Sequence, residues 1–177
     1  MNNLDNVVAE NPDLYRGLYR LGEPRRTNKI EFAVETIATT RRDIEPLFER
    51  HYQEIAQFKH AQKLDPDWEA YERIEQSGKL WIMTARDQGN LVGYMVMFVA
   101  HDMHYRQLKR ATEDIHFVLP EYRQGLLGYR LIRKTIEAMK NLGVGMIKFR
   151  TKASNSHAVL FERLGGELED LVYTFVL

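Results

Sequence analysis

The chain has no cysteine among its 177 residues. That excludes disulfides, a cysteine nucleophile and any thiolate-bound metal. It also has no long apolar run. The longest, about Leu91 to Ala100, is strand-sized and broken by Gly93, far short of the roughly 20 residues a membrane-crossing helix needs. No apolar core follows the first methionine, so a secretory leader is not expected. Net charge is lacking as well, since 25 basic residues balance 25 acidic ones. Neither a nucleic acid nor a membrane is therefore an expected partner. These absences suit a cytoplasmic protein.

What is present describes one folded domain. Hydrophobic residues make up 44% and charged residues 28%, enough to bury a real core at this length. Residues 1–29 stand apart. They are polar and irregular, with Pro12, Gly17, Gly22 and Pro24, and carry the echo Leu14-Tyr15-Arg16 and Leu18-Tyr19-Arg20. They read as a partly ordered arm lying on the domain of residues 30–177, with contacts to RNA or a partner subunit left open.

Hydrophobic period orders the rest. Ile30 to Ile37 alternates, as a strand does. Thr39-Thr40 ahead of Arg41-Arg42-Asp43 suits a helix entry, and Ile44, Leu47, Phe48, Tyr52, Ile55 and Phe58 continue it as a stripe. Asp65-Pro66 signals a second helix, with Trp68, Tyr71 and Ile74 inside and Ser77-Gly78 at its end. Trp81 to Ala85 and Leu91 to Val99 are strands joined through Asp87-Gln88-Gly89-Asn90 into a hairpin. Met146 to Arg150 is a strand, Ser154-Asn155-Ser156 caps a helix holding Ala158, Leu160, Phe161 and Leu164, and Leu171 to Leu177 is a last strand. The expected fold is α/β (α+β), a mixed, mostly antiparallel sheet with helices on both faces, in the order β-α-α-β-β-β-α-β-α-β.

One stretch organises this pattern. Ile115, Phe117 and Leu119 alternate, and Pro120 then ends the strand because it has no N–H to give. Glu121 to Gly128 form a tight loop. Leu131, Ile132, Thr135, Ile136, Met139 and Leu142 follow at steps of three and four, a greasy stripe on a helix that Gly143 closes. A helix start presents unpaired N–H groups and the positive end of a dipole, which suits a phosphate. Arg123 adds a fixed charge there.

Val118-x-Pro120 followed by Arg123 and Gly128 resembles the acetyl-CoA-binding motif of the GNAT superfamily of N-acetyltransferases. Leu126 replaces the motif's middle glycine, and Gly125 stands one place earlier. The stretch Asn155 to Gly165 is similar to the family's Asn-x-x-Ala-x-x-Leu-Tyr-x-x-x-Gly helix, and the element order over residues 30–177 is the family's order. A narrower resemblance, to GNATs encoded by tailed phages, rests on Asp67-Trp68, Leu91-Val92-Gly93-Tyr94 and His104-Tyr105-Arg106.

The resemblance implies acetyl-CoA as cosubstrate. Its pyrophosphate would meet the amides of Arg123, Gln124, Gly125, Leu126, Leu127, Gly128 and Tyr129. Backbone groups of Phe117 and Val118 would hold pantetheine and the acetyl oxygen, with Asn155 and Phe161 beside them. Asn155 suits a helix cap equally well. The general base is expected on the strand before the loop, where Asp114, Glu113 and His116 are the candidates. Asp114, His116 and Val118 share a strand face if no bulge intervenes, and Glu113 points the other way.

The family's acid is a tyrosine where this chain has Phe161, which has no proton to give. Ser156, His157, Tyr129 or water would have to replace it, or activity is weak or lost. Trp68, Tyr71, His104 and Tyr105 are expected to line the acceptor pocket, although Trp68 and Tyr71 could equally pack their helix onto the sheet. His101 and His104 flank Asp102, but no further ligands accompany them and no metal is expected. The expected activity is acetyl transfer from acetyl-CoA to a primary amine, on a small molecule or a protein. The alternatives are a catalytically reduced domain that binds CoA or a partner, and acetylation of aminoacyl-tRNA. The acceptor's identity lies in loops and is not legible, and a homodimer is left open.

Overall fold

A computed structural model of the protein describes residues 29–61, 63–152 and 157–176. The arm before Lys29 lies outside the described residues, as do the expected cap Ser154-Asn155-Ser156 and Leu177.

Five strands form one sheet in sequence order. β1 (Glu31–Glu35), β2 (Leu80–Asp87), β3 (Asn90–His101) and β4 (Lys109–Val118) are antiparallel neighbours, and β5 (Met146–Lys148) joins β4 in parallel. Helices α1 (Ile37–Ile55) and α2 (Trp68–Gln76) come between β1 and β2. Helix α3 (Leu127–Asn141) crosses from β4 to β5, and the short α4 (Ala158–Arg163) follows β5. This is the expected α/β order as far as the last helix, and among the described residues no helix is long and apolar enough to cross a membrane.

Local chemistry sets the element ends, sometimes away from the expected place. Helix α1 begins after Thr36, not at Thr39-Thr40. The Thr36 N–H donates to Thr39 Oγ1 at 3.2 Å, and Thr40 Oγ1 donates back to Thr36 O at 2.7 Å, so both later threonines close the turn that Thr36 opens. Helix α2 is capped by Asp67, whose Oδ1 accepts from Ala70 N at 2.8 Å, and not by Asp65. The hairpin forms as read. Gln88 and Gly89 both have positive φ, 50° and 82°, the signature of a two-residue I′ turn.

Both faces of the sheet are covered. Tyr94, Met95, Val96 and Met97 follow one another along β3 and are all essentially buried. Phe48 of α1 stacks on Tyr94 and Tyr71 of α2 stacks on Phe98, so these helices cover the Tyr94 face. Arg130 of α3 lies over Phe32, which pairs with Ala85 and through it with Gly93. Helix α3 therefore covers the opposite face, that of Met95.

Two expectations change. The final strand is absent from the described residues. Residues 171–176 have no regular structure, and Leu171, Val172, Tyr173 and Phe175 are each at least 75% exposed. Alternation says that a segment can be a strand, but only a neighbouring edge that takes its ladder bonds makes it one. The segment's root is tied to β5 by Lys148, which reaches Asp170 at 2.9 Å and Glu169 at 3.1 Å.

The second change concerns β4. Val96 pairs with Ile115, yet Met97 pairs with Glu113. Asp114 is thus the extra residue of a bulge, which turns its side chain out of the simple alternation.

Candidate active site

The bulge decides which side chains meet. Tyr71 of α2 donates its hydroxyl hydrogen to Asp114 Oδ2 at 2.6 Å. Phe117, three residues on, touches His51 of α1 and Tyr94 with ring centroids 5.0 and 6.1 Å apart. Positions three apart lie on opposite faces of a regular strand. Only the extra residue lets Asp114 and Phe117 both face α1 and α2. The expected sharing of a face by Asp114, His116 and Val118 is therefore not observed.

A groove of about 400 Å³ opens over Asp114 and Ile115. It is walled by Phe48, His51, Tyr52 and Ile55 of α1, by Phe58, Lys63, Asp65 and Pro66 of the segment before α2, by Tyr71, and by Lys152. The stripe of α1 thus has two jobs: Ile44 and Leu47 are buried in the core, while Tyr52 and Ile55 line the groove. Periodicity marks an apolar face and not what covers it, so His51, Tyr52 and Lys152 gave no warning of this role. Burial, against the opposing pull of Glu54 and with smaller contributions from Arg123 and Lys152, pushes His51 down to about 4. It is a neutral imidazole at physiological pH.

The other two base candidates do not reach this groove. Glu113 is buried, and its Oε2 accepts from the backbone N–H of Arg150 at 2.8 Å. The Arg150 guanidinium donates to the Glu113 carbonyl at 2.7 Å. Burial pushes the Glu113 carboxyl up to about 7, against the opposing pull of Arg150. His116 pairs across the ladder with Met95, and its Nε2 is buried without a partner among the described residues. Burial first, then the neighbouring His157, His51 and Arg123, push it down to about 3.

Glu113 also marks a fork. Strand β5 pairs with β4 only from Arg110↔Met146 to Thr112↔Lys148. Among the described residues the β4–β5 register goes no further, Lys152 forms only an isolated bridge, and the Glu113–Arg150 bond spans the opening. Phe149 and Phe161 stack in parallel on the far side, 5.2 Å apart. Phe161 thus packs at the fork but brings no hydroxyl to it.

At the far end of β4 a 3-10 turn (Pro120–Tyr122) leads into the loop. Gly125 has φ of +148°, where a side chain would be strained. Leu126 takes φ −96° as the residue before α3, which any residue tolerates. The loop therefore needs its glycine at 125, and leucine is at ease at 126.

Helix α3 starts with no side-chain cap and no acidic residue in its first turn. The N–H groups of Leu127, Gly128 and Tyr129 find no acceptor among the described residues. A Cβ placed on Gly128 would meet nothing within 4 Å, so the space over these donors is open. An anionic pyrophosphate fits such a start.

Arg123 is used otherwise than expected. Its Nε donates to the Val118 carbonyl at 2.8 Å, and its guanidinium forks onto Glu54 of α1, 2.7 Å for Nη2 to Oε2. The arginine braces the loop against β4 and α1, and its charge is shared with Glu54. Gln124 lies in the same loop, and Leu127 and Tyr129 are buried.

Of the expected acceptor residues, Tyr71 reaches the groove. Trp68 packs between Phe48 and Tyr71 under Arg41, which is the packing alternative. His104 and Tyr105 sit in the turn before β4, closed by Asp102 Oδ1, which accepts from their two N–H groups. That is the end of β4 away from the loop, and neither residue lines the groove over Asp114. Among the described residues no three His, Asp or Glu side chains gather as a metal site would require. Asn155 falls outside the described residues.

Comparison with known proteins agrees with this layout. No curated protein matches the sequence. Among solved structures, an aminoglycoside acetyltransferase from an uncultured soil metagenomic sample, crystallised with trehalose, superposes with a TM-score of 0.67 at 16% identity, covering 85% of this chain and 98% of that one. A ribosomal-protein-alanine N-acetyltransferase from Brucella melitensis biovar Abortus 2308 gives 0.64 at 16% identity, over 84% and 99% of the two chains. A putative acetyl transferase from Pyrococcus furiosus gives 0.62 at 18%, over 83% and 100%. These likenesses show the fold. The pattern of the acetyltransferase (GNAT) family itself matches residues 42–165, more than half of the chain, and the protein belongs to that family.

Proposed function

We propose that the protein transfers the acetyl group of acetyl-CoA to a primary amine seated in the groove over Asp114. The observation that carries this reading is that β4 brings together the three things the reaction needs. At its C-terminal end lies an open, uncapped helix start for the pyrophosphate. Along its side runs an edge at which the β5 register stops, fit for an amide-bearing arm. On its face stands a carboxylate turned into a groove by a bulge.

Acetyl-CoA supplies the activated acetyl group, and the chain does the rest. The amides of Gln124 and of Leu126 to Tyr129 hold the pyrophosphate, the Gly125 N–H being spent on the Arg123 carbonyl, with Arg123 bracing their loop. Val118, whose N–H lies on the edge of β4 away from β3 while that of Phe117 is turned into the β3 ladder, directs it at the carbonyl oxygen, where such a donor is worth about 3 kcal/mol in favourable cases. Asp114 takes the proton that an ammonium must lose before it attacks. Asp114 is preferred to Glu113 and His116 because it alone of the three lines the groove.

The test is thiol release from acetyl-CoA with a panel of small and peptide amines. Wild type should turn over at least one of them. Asp114→Asn should lose about 10²-fold or more near neutral pH and recover part of it at high pH, where the free amine is already neutral. Full activity of Asp114→Asn at every pH would remove the proposed base. Phe161, stacked on Phe149 with no proton to give, favours a second reading in which the domain binds CoA or a partner without turnover. Tight acetyl-CoA binding with no acceptor in the panel would support it. Phe161→Tyr restores the family's phenol at this position and should be neutral or activating under the first reading.

A further inference from the structure

Asp114 has an unusual support. As the extra residue of the bulge it has no directly opposed residue on β3 to fix its side chain. Its carboxylate is held instead from a helix, through the 2.6 Å bond from Tyr71 to Oδ2. The Tyr71 ring is itself immobilised. It stacks on Phe98 at 6.1 Å and leans on Trp68 at 5.8 Å. Helix α2 beneath it is fixed by the Asp67 cap and by Glu75, whose Oε1 accepts from Ile37 N at 2.9 Å. Oδ1 of Asp114 accepts no hydrogen bond from the described residues, and Arg150 Nη2 stands 3.9 Å from it.

We propose that Tyr71 is a positioning residue for acetyl transfer: its hydroxyl fixes Asp114 through Oδ2, leaving Oδ1 free to take the proton of the acceptor amine. This rests on the reading of Asp114 as proton acceptor. Burial and Asp114 together raise Tyr71 well above the usual phenol range, so it stays a donor at every working pH. The other groups around the carboxylate come from every packed element. They are Tyr94 on β3, His51 on α1, Lys63 and Asp65 on the segment before α2, Arg150 and Lys152 after β5, and Glu113 beside it. His51 is neutral, Glu113 is turned to the Arg150 amide, and Tyr94 is buried with its hydroxyl unpartnered. Tyr71 is thus the donor that holds the carboxylate directly.

The experiment compares wild type, Tyr71→Phe and the control Tyr94→Phe. The Asp114 carboxylate is observed by carbon-13 NMR at pH 7 without substrate, and kcat and KM are measured with the best amine of the panel. In Tyr71→Phe, which keeps the ring and its stacking, the Asp114 carboxylate resonance should move, kcat should fall about tenfold for the loss of a bond to a charged group, and the KM for acetyl-CoA should not change. Tyr94→Phe should move neither the resonance nor kcat. If Tyr71→Phe folds poorly, 3-fluorotyrosine at position 71, a stronger donor of nearly the same size, should move the resonance the opposite way. An unmoved resonance overturns the proposal, whatever the activity. A moved resonance with an unchanged kcat also overturns it, because the placing of the carboxylate then does not govern the transfer. Wild type that turns over no amine sinks the acetyl-transfer reading itself and the proposal with it, and the resonance tells the two failures apart.

Discussion

Replacing Glu113 with glutamine should make the protein more stable at neutral pH, an advantage that grows as the pH rises. The carboxyl is buried and pushed from its ordinary 4.5 up to about 7 by that burial. Between those values the folded protein keeps a proton that the unfolded chain has released, so unfolding gives up a proton and stability falls with rising pH. At about 1.4 kcal/mol per unit, the ceiling on this penalty is about 3 kcal/mol, reached above pH 7. Glutamine keeps a carbonyl oxygen for the Arg150 N–H and carries no charge. Its second amide group needs a partner in a crowded place, which subtracts on the order of 1 kcal/mol at every pH. Urea unfolding of both proteins at half-unit steps from pH 4.5 to 8.5 measures the difference. Glu113→Gln should trail wild type by somewhat under about 1 kcal/mol near pH 4.5, overtake it between about pH 5 and 5.5, and hold a lead of about 2 kcal/mol above pH 7. A constant difference across the range, or a wild type that gains on the variant as pH rises, would falsify the assignment of Glu113 as a buried, largely structural carboxyl at the fork.

Three further outcomes follow from other parts of the molecule. Arg86 forks onto Glu35 at 2.8 and 2.9 Å and reaches Asp43 at 2.8 Å, with both Arg86 and Glu35 side chains under one-fifth exposed. Arg86→Met should cost about 3 kcal/mol at pH 7. Because Arg86 lowers the Glu35 carboxyl, that cost should shrink in melts below pH 4.5, as stability from a depressed carboxylate is lost with falling pH. His51 and His116 are held neutral, at about 4 and about 3, so both lose stability as the unfolded state protonates below pH 6.5. A His51→Phe, His116→Leu double variant should flatten the acid side of the unfolding curve between pH 6.5 and 4, and a curve parallel to wild type would count against their burial. Gly125→Ala forces a side chain onto φ +148°. It should cost about 1–2 kcal/mol and reduce the rise in melting temperature that acetyl-CoA gives wild type, whereas Leu126→Ala should leave that rise intact.

Much of this layout was legible beforehand, for identifiable reasons. Strands and helices announce themselves through the spacing of apolar residues, so the hairpin, the amphipathic α3 and the order of elements up to α4 could be read in one dimension. Turn chemistry was equally local. Gln88-Gly89 and Gly125 mark places where φ must be positive, and the loop's departure from the family motif is resolved within three residues. The errors were those of partnership. Leu171 to Val176 has a strand's alternation, but pairing belongs to two segments at once. Helix ends shifted because Thr36 and Asp67 competed with nearby caps of similar chemistry.

The sequence by itself pointed to the family and nominated a phosphate-binding loop and a set of base candidates, because each depends on residue types at short spacing. Tertiary structure decided where those candidates sit. One extra residue in β4 turns Asp114 towards Tyr71, a partner 43 positions away, and leaves Glu113 bound across the fork. Arg123, legible as a phosphate ligand, is claimed by Glu54 from α1. The apolar stripe of α1 proves to be core at one end and groove at the other. Periodicity fixes which side of an element is apolar. Whether protein or substrate covers that side depends on packing between elements far apart in the chain, and no local pattern encodes it.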